Sequence, residues 1–250
     1  MRQLVLSIIA GAVLAVGAQA EDADVPGPAD EVTVVEFTVQ EEQPPRPEKR
    51  WALVPAAGIG FPEMDEINDY ADWINDSFGG SVDDVDLYEQ YGLALEYRLR
   101  RNWHLGLAYH RLEAGTDGSY PWMGGRRDFS IDLDVDGAEL YVRRSWPRTL
   151  GPLDVAALLG AGYYRSHYTE EEDGYHVSGD DDQLGLRAGV GLGWEISDSL
   201  GVSLEGDYRL LEFDSYKDSG QTVRFVSPGN PRAEADFSGF SLWARLSWRF

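Results

Sequence analysis

From residue 51 to residue 250, segments that alternate apolar and polar side chains with a period of two recur along the chain, separated by short and long gaps. The clearest case is 237–250, Phe-Ser-Gly-Phe-Ser-Leu-Trp-Ala-Arg-Leu-Ser-Trp-Arg-Phe. Successive strand side chains point to opposite faces, so Phe240, Leu242, Ala244, Leu246, Trp248 and Phe250 share one face. Ser241, Trp243, Arg245, Ser247 and Arg249 share the other. The same two-faced pattern predicts strands at 51–61, 88–99, 103–112, 133–145, 153–167, 183–196 and 202–213, which with 237–250 makes eight. Short gaps at 100–102, 146–152 and 197–201 alternate with long ones at 62–87, 113–132, 168–182 and 214–236.

The apolar row contains Leu93, Leu95 and Tyr97, then Leu105, Leu107 and Tyr109, and continues through Leu140, Val142, Leu159, Leu186, Val190 and Leu204. Trp51, Trp103, Trp146, Trp194 and Trp248 fall on this face, each at the same end of its strand. Tryptophans in a soluble core would not share both parity and depth, whereas an interfacial girdle requires it. The other row is small or charged: Gly92, Ala94, Gly106, Gly160 and Gly191 beside Glu96, Arg98, Glu139, Arg143, Arg187, Glu205, Asp207, Arg209, Arg245 and Arg249. The expected fold is therefore all-β, an eight-stranded antiparallel up-and-down transmembrane β-barrel with lipid outside and a polar lumen. Short gaps become periplasmic turns and long gaps become outer loops.

Eight strands enclose space that side chains nearly fill, so opposite charges inside should pair. Counted from the periplasmic end, Glu139, Glu205, Asp207 and Arg245 stand near mid-depth and Arg187 slightly higher. These five residues are the expected lumen charge network, a plug. The competing arrangement is a narrow wet channel lined by separately solvated charges.

Residues 1–20 carry Arg2, an apolar run from Leu4 to Val16 and Ala18-Gln19-Ala20, the pattern of a cleaved export signal. Residues 21–50 are acidic and contain Pro44-Pro45-Arg46-Pro47, which suits a periplasmic linker and not a sheet. The barrel is assigned to 51–250. No later apolar run approaches the ~20 residues of a spanning helix. The chain has no Cys, which removes disulfides, thiolate chemistry and Cys-type zinc sites, and no cofactor is expected. A formal net charge of -23 argues against nucleic acid as a partner.

With the export signal, eight strands, aromatic rim and terminal Phe250 in place, the chain resembles the small bacterial outer-membrane barrel family of the OmpA transmembrane-domain and OmpX type. Phe240, Leu242, Leu246, Trp248 and Phe250 resemble the carboxy-terminal assembly signal of such proteins. The resemblance implies a monomeric barrel in the outer membrane, inserted by the outer-membrane assembly machinery, in contact with outer-membrane lipid and lipopolysaccharide, and serving envelope integrity, adhesion or defence. A carboxy-terminal peptidoglycan-binding domain, present in some members, is not expected. The charged inner row departs from the more apolar lumen of the OmpW type. Val32–Val39 weakly resembles the energy-coupling box of large receptors, but a plug and large barrel cannot fit in this length.

Three local patterns carry candidate chemistry. His176-Val177-Ser178 resembles the His-x-Ser element of outer-membrane lipid A deacylases, yet it is expected in a loop beside Asp180, Asp181 and Asp182. An omptin-type protease would need a larger barrel and an Asp-x-His couple that is missing. The loop at 62–87 carries nine acids and no Lys or Arg, and Asp83, Asp84 and Asp86 form a possible divalent-cation site. The expected function is a non-enzymatic structural or surface-interaction barrel with a plugged lumen and acidic outer loops. A lipid-modifying hydrolase and a narrow small-solute channel are the alternatives.

Overall fold

The computed structural model describes residues 49–225 and 231–250. The export signal and all of the linker before Lys49 lie outside the described residues. In chain order the elements are β1 (Trp51–Pro62), α1 (Asp65–Phe78), β2 (Ser81–Val82), β3 (Tyr88–Arg100), β4 (Trp103–Trp122), β5 (Gly125–Leu150), β6 (Leu153–Glu172) and β7 (Tyr175–Glu195). There follow β8 (Leu200–Leu210), β9 (Glu212–Phe213), β10 (Lys217–Asp218), β11 (Gln221–Thr222), β12 (Ala235–Asp236) and β13 (Gly239–Arg249).

Eight of these close a ring in the order β1, β3, β4, β5, β6, β7, β8, β13, every neighbour antiparallel. Closure is made by β13 against β1, with Leu53 opposite Trp248, Ile59 opposite Leu242 and Phe61 opposite Phe240. A closed ring leaves no unpaired edge, which is what hydrocarbon demands of a strand. The expected fold and its eight strands are those observed.

Leu93, Leu107, Leu140, Leu159, Leu184, Val190, Leu204 and Leu242 all stand on the outside of the ring and are exposed. In water such a belt would aggregate; against lipid it is the proper outer surface. Trp51, Trp103, Trp194 and Trp248 project outward at its lower rim. Phe61, Tyr91, Tyr109, Tyr163 and Phe240 project outward at the upper rim. Between the rims the inner row carries the expected small and charged residues, but also the larger Val54, Tyr141, Leu158 and Trp243, which fill the section between them. Small residues there are contact surfaces: a Cβ on Gly106 would lie 2.2 Å from the Tyr141 ring, and one on Gly137 2.1 Å from Tyr164.

The gaps expected as outer loops are more ordered than the sequence reading has them. Strands β4 and β5 run on through 113–132 to the two-residue turn Met123-Gly124, and β6 and β7 through 168–182 to Asp173-Gly174. Both turn residues have positive φ in each case (44° and 85°; 41° and 87°), the geometry of a type I′ hairpin, whose twist matches the flanking strands. The gap at 62–87 contains α1, with Ile67, Tyr70, Ala71 and Ile74 buried at helical spacing and Gly79 closing its end at φ 68°. Asn75 ties the helix to β2 by accepting from Val82 N at 2.8 Å and donating to Val82 O at 2.9 Å.

These extensions form a second core above the membrane. Ile67, Tyr70 and Ile74 of the helix meet Leu112, Phe129, Ile131, Leu133, Val135 and Tyr168 of the projecting strands. Phe213, Tyr216, Phe225 and Phe237, from in and around the 214–236 region, complete it. Tyr70 stacks on Phe225 at 4.5 Å and meets Phe129 edge-on at 5.7 Å. The barrel thus carries an apolar-cored dome on its outer end.

Candidate functional site

Two arginines organise the lumen. Arg187 on β7 donates to Glu139 of β5 through Nη2 at 2.8 Å and Nε at 3.1 Å, and through Nη1 to Asp207 of β8 at 3.1 Å. The same Nη1 lies 3.7 Å from Glu205. Arg245 on β13 donates to Glu205 at 2.6 Å and to Glu96 of β3 at 2.7 Å. All five residues assigned to the network from sequence, Glu139, Arg187, Glu205, Asp207 and Arg245, are buried and in contact with one another through these bonds.

Tyrosines and a serine extend the set. Tyr141 donates to Glu96 at 2.7 Å and accepts from Arg245 at 3.0 Å; Tyr164 donates to Glu139 at 2.9 Å; Ser241 donates to Asp207. Both arginines also lie over aromatic faces, Arg187 5.7 Å from the Trp243 ring and Arg245 5.8 Å from Tyr141. Arg209 stands directly opposite Arg187 across the β7/β8 ladder. It is fully buried, makes no side-chain hydrogen bond among the described residues, and rests 5.7 Å from the Tyr164 ring. The sequence reading places Glu96 and Arg209 inside but leaves both out of the network, and it does not include Tyr141 and Tyr164. Each tyrosine continues the inward parity of its strand, and that parity could have placed both.

The other candidates sit at the ends. Phe240, Leu242, Leu246 and Trp248 of β13, with the terminal Phe250, form one exposed outward row along the closing seam. Asp83, Asp84 and Asp86 lie between β2 and β3 at the rim of the dome, all exposed. Slight burial and the neighbouring Asp72, Asp86 and Asp83 raise the Asp84 carboxyl above its usual value. Among the described residues no group of three or more His, Asp or Glu is arranged to hold a metal ion. His176 and Ser178 are on strand β7 and not in a loop, facing outward above the membrane. The His176 ring lies 3.5 Å from Glu171 and makes no hydrogen bond to Ser178 among the described residues.

A closed ring of eight strands with a lipid-facing belt, two aromatic rims and a charged interior defines a small outer-membrane barrel. Residues 66–250 match the model of the outer membrane protein beta-barrel domain, and the chain belongs to that family. Its location is the bacterial outer membrane. A search of curated proteins found no match. Among solved structures the chain is similar to OprG of Pseudomonas aeruginosa (13% identity, 81% of this chain and 97% of that one, TM-score 0.49). It is also similar to Neisserial surface protein A (10%, 80% and 96%, 0.46) and to a major outer membrane protein of Thermus thermophilus (18%, 80% and 99%, 0.43).

Proposed function

We propose that this chain is a non-enzymatic structural and surface-interaction barrel, monomeric in the outer membrane, whose lumen is plugged by its own side chains. The observation that carries this reading is the pair of arginines bridging four carboxylates from β3, β5 and β8, with every member buried. Charges solvated separately along a channel would remain wet, whereas these are desolvated and paired with one another, each carboxylate lying within 4 Å of a guanidinium nitrogen. The dome above adds a second layer of side chains over the lumen. Its outer surface is acidic, with Asp128, Asp132, Asp134 and Asp136 on the outward row of β5 and five acids on α1. That surface suits partners of opposite sign, and divalent cations could bridge it weakly to lipopolysaccharide phosphates. The exposed His176, drawn to Glu171, gives the hydrolase alternative no His–Ser couple.

The test is planar-bilayer recording of the unmodified protein. Silence, or only rare small openings, is expected at physiological salt. Stable, large, water-filled-pore conductance defeats the plug and leaves the channel reading.

A further inference from the structure

The periplasmic mouth holds a cavity of about 210 Å³, open below the plug where Ala156, Gly193 and Ser203 leave the lumen wide. Lys49, Arg50, Arg98, Arg101, Arg143 and Arg249 line it, in a chain whose formal net charge is -23. The three acids of its wall are already engaged. Glu96 is held by Arg245, Glu195 by Arg249 at 2.6 Å, and Asp154 accepts the backbone N–H of Arg148 at 2.9 Å. The guanidinium groups of Arg98, Arg101 and Arg143 have no hydrogen bond or ion pair among the described residues, and Arg143 Nε is buried without a partner.

We infer that this vestibule is a binding site for a phosphate group. Three guanidinium groups without a hydrogen-bond partner line this one cavity, where Glu96 only partly offsets Arg143; they repel each other, and an oxyanion between them removes that repulsion. Guanidinium forks match phosphate oxygens two at a time, and a cleft lined by one sign of charge concentrates the opposite ion. The volume admits a phosphate ester head together with several waters. Two sources share this chemistry. Trp51 and Trp194 belong both to the lipid-facing rim and to the cavity wall, so phospholipid headgroups of the periplasmic leaflet lie at its depth. Free phosphate or a soluble phosphate ester can enter from the periplasm.

The experiment titrates inorganic phosphate by calorimetry into the full chain folded in maltoside micelles. One saturable site is expected, weakened at least tenfold by Arg98→Gln, Arg101→Gln and Arg143→Gln together. Arg100→Gln, just outside the cavity, should leave it unchanged. If the triple variant fails to fold, each single change is expected to weaken binding at least threefold. The titration is repeated in nanodiscs containing phosphatidylglycerol: loss of the phosphate signal there identifies the lipid headgroup as the occupant, and its retention identifies a soluble phosphate. No saturable binding in micelles, or equal binding by the wild type and by the folded arginine variants, overturns the site.

Discussion

Arg245 is bound to two carboxylates at once, Glu205 on the adjacent β8 and Glu96 on β3, with β1 lying between β13 and β3. Removing it leaves two buried carboxylates without their cation, and Arg245→Ala is expected to cost about 3–5 kcal/mol, the usual scale for breaking one side of a buried pair. Glu205→Ala alone strips Arg245 of one partner. Combined with Arg245→Ala it should cost less than the two single losses added, measured by urea unfolding of the folded barrel in micelles. Strict additivity would mean that the two side chains do not act as a unit. The Glu205–Arg245 proximity is legible in the sequence because their strands are consecutive and their depths match. Glu96 escapes that reading because its contact crosses the lumen past β1, and strand parity says which residues face inward without saying how they meet across a section. The same limit hides Tyr141 and Tyr164, which reach their acids only because Gly106 and Gly137 let the rings lie against the wall.

Strand β5 shows how one element serves two environments. From Ala138 to Trp146 its outward residues include Leu140 and Val142, and its inward ones Glu139, Tyr141 and Arg143. From Asp128 to Asp136 the outward residues are Asp128, Ser130, Asp132, Asp134 and Asp136, and the inward ones Phe129, Ile131, Leu133 and Val135. The alternation never breaks; its phase inverts near Gly137, where lipid outside gives way to water. A strand count based on lipid-facing leucines ends β4 at 112 and begins β5 at 133, taking the projecting stretch 113–132 for loop. The turn signal Asp173-Gly174 and the apolar spacing of Ile67, Tyr70, Ala71 and Ile74 are equally present in the sequence and would have given the β6/β7 hairpin and α1. The inversion predicts opposite outcomes for one substitution at two heights. Val135→Asp places an unpaired carboxylate in the dome core and should open the hairpin tips to protease while the barrel still inserts. Leu140→Asp, on the lipid face, should impair membrane assembly and leave the dome of the assembled fraction closed. Equal loss of insertion in both variants would mean the two cores are not separable.

At the scale of the whole molecule, the membrane band and the dome are two cores on one set of strands, and only one of them is exposed to external pH. Glu170 lies on β6 seven residues beyond the Tyr163 rim, outside the membrane-spanning part. It is buried under α1, where Tyr70 donates to it at 3.2 Å and Tyr168 at 2.7 Å. Burial raises its carboxyl above the ordinary value, the two hydroxyls oppose that shift, and nearby Glu172 adds to it. Asp84 and Asp132 at the dome rim are raised too, by burial first and then by neighbouring acids. A folded-state value above the unfolded one means stability that is complete below the ordinary carboxylate range and is lost as pH rises through the raised value. Asp180 has the opposite sign, because His167 and Arg165 lower it, so its contribution fades only in acid below that range. Acidifying from neutrality toward the ordinary carboxylate range should therefore tighten the dome, and stronger acid should begin to loosen it at Asp180. Hydrogen exchange of α1 and of the β6/β7 tip amides, corrected for intrinsic rates, should show greater protection at mildly acidic pH than at neutral pH. Lipid-shielded amides of 153–163 should show no such trend. Glu170→Gln keeps the shape, removes the charge, and is expected to raise tip protection at neutral pH and flatten the profile. A Glu170→Gln profile as steep as the wild type would assign the effect to the rim acids instead of the buried glutamate.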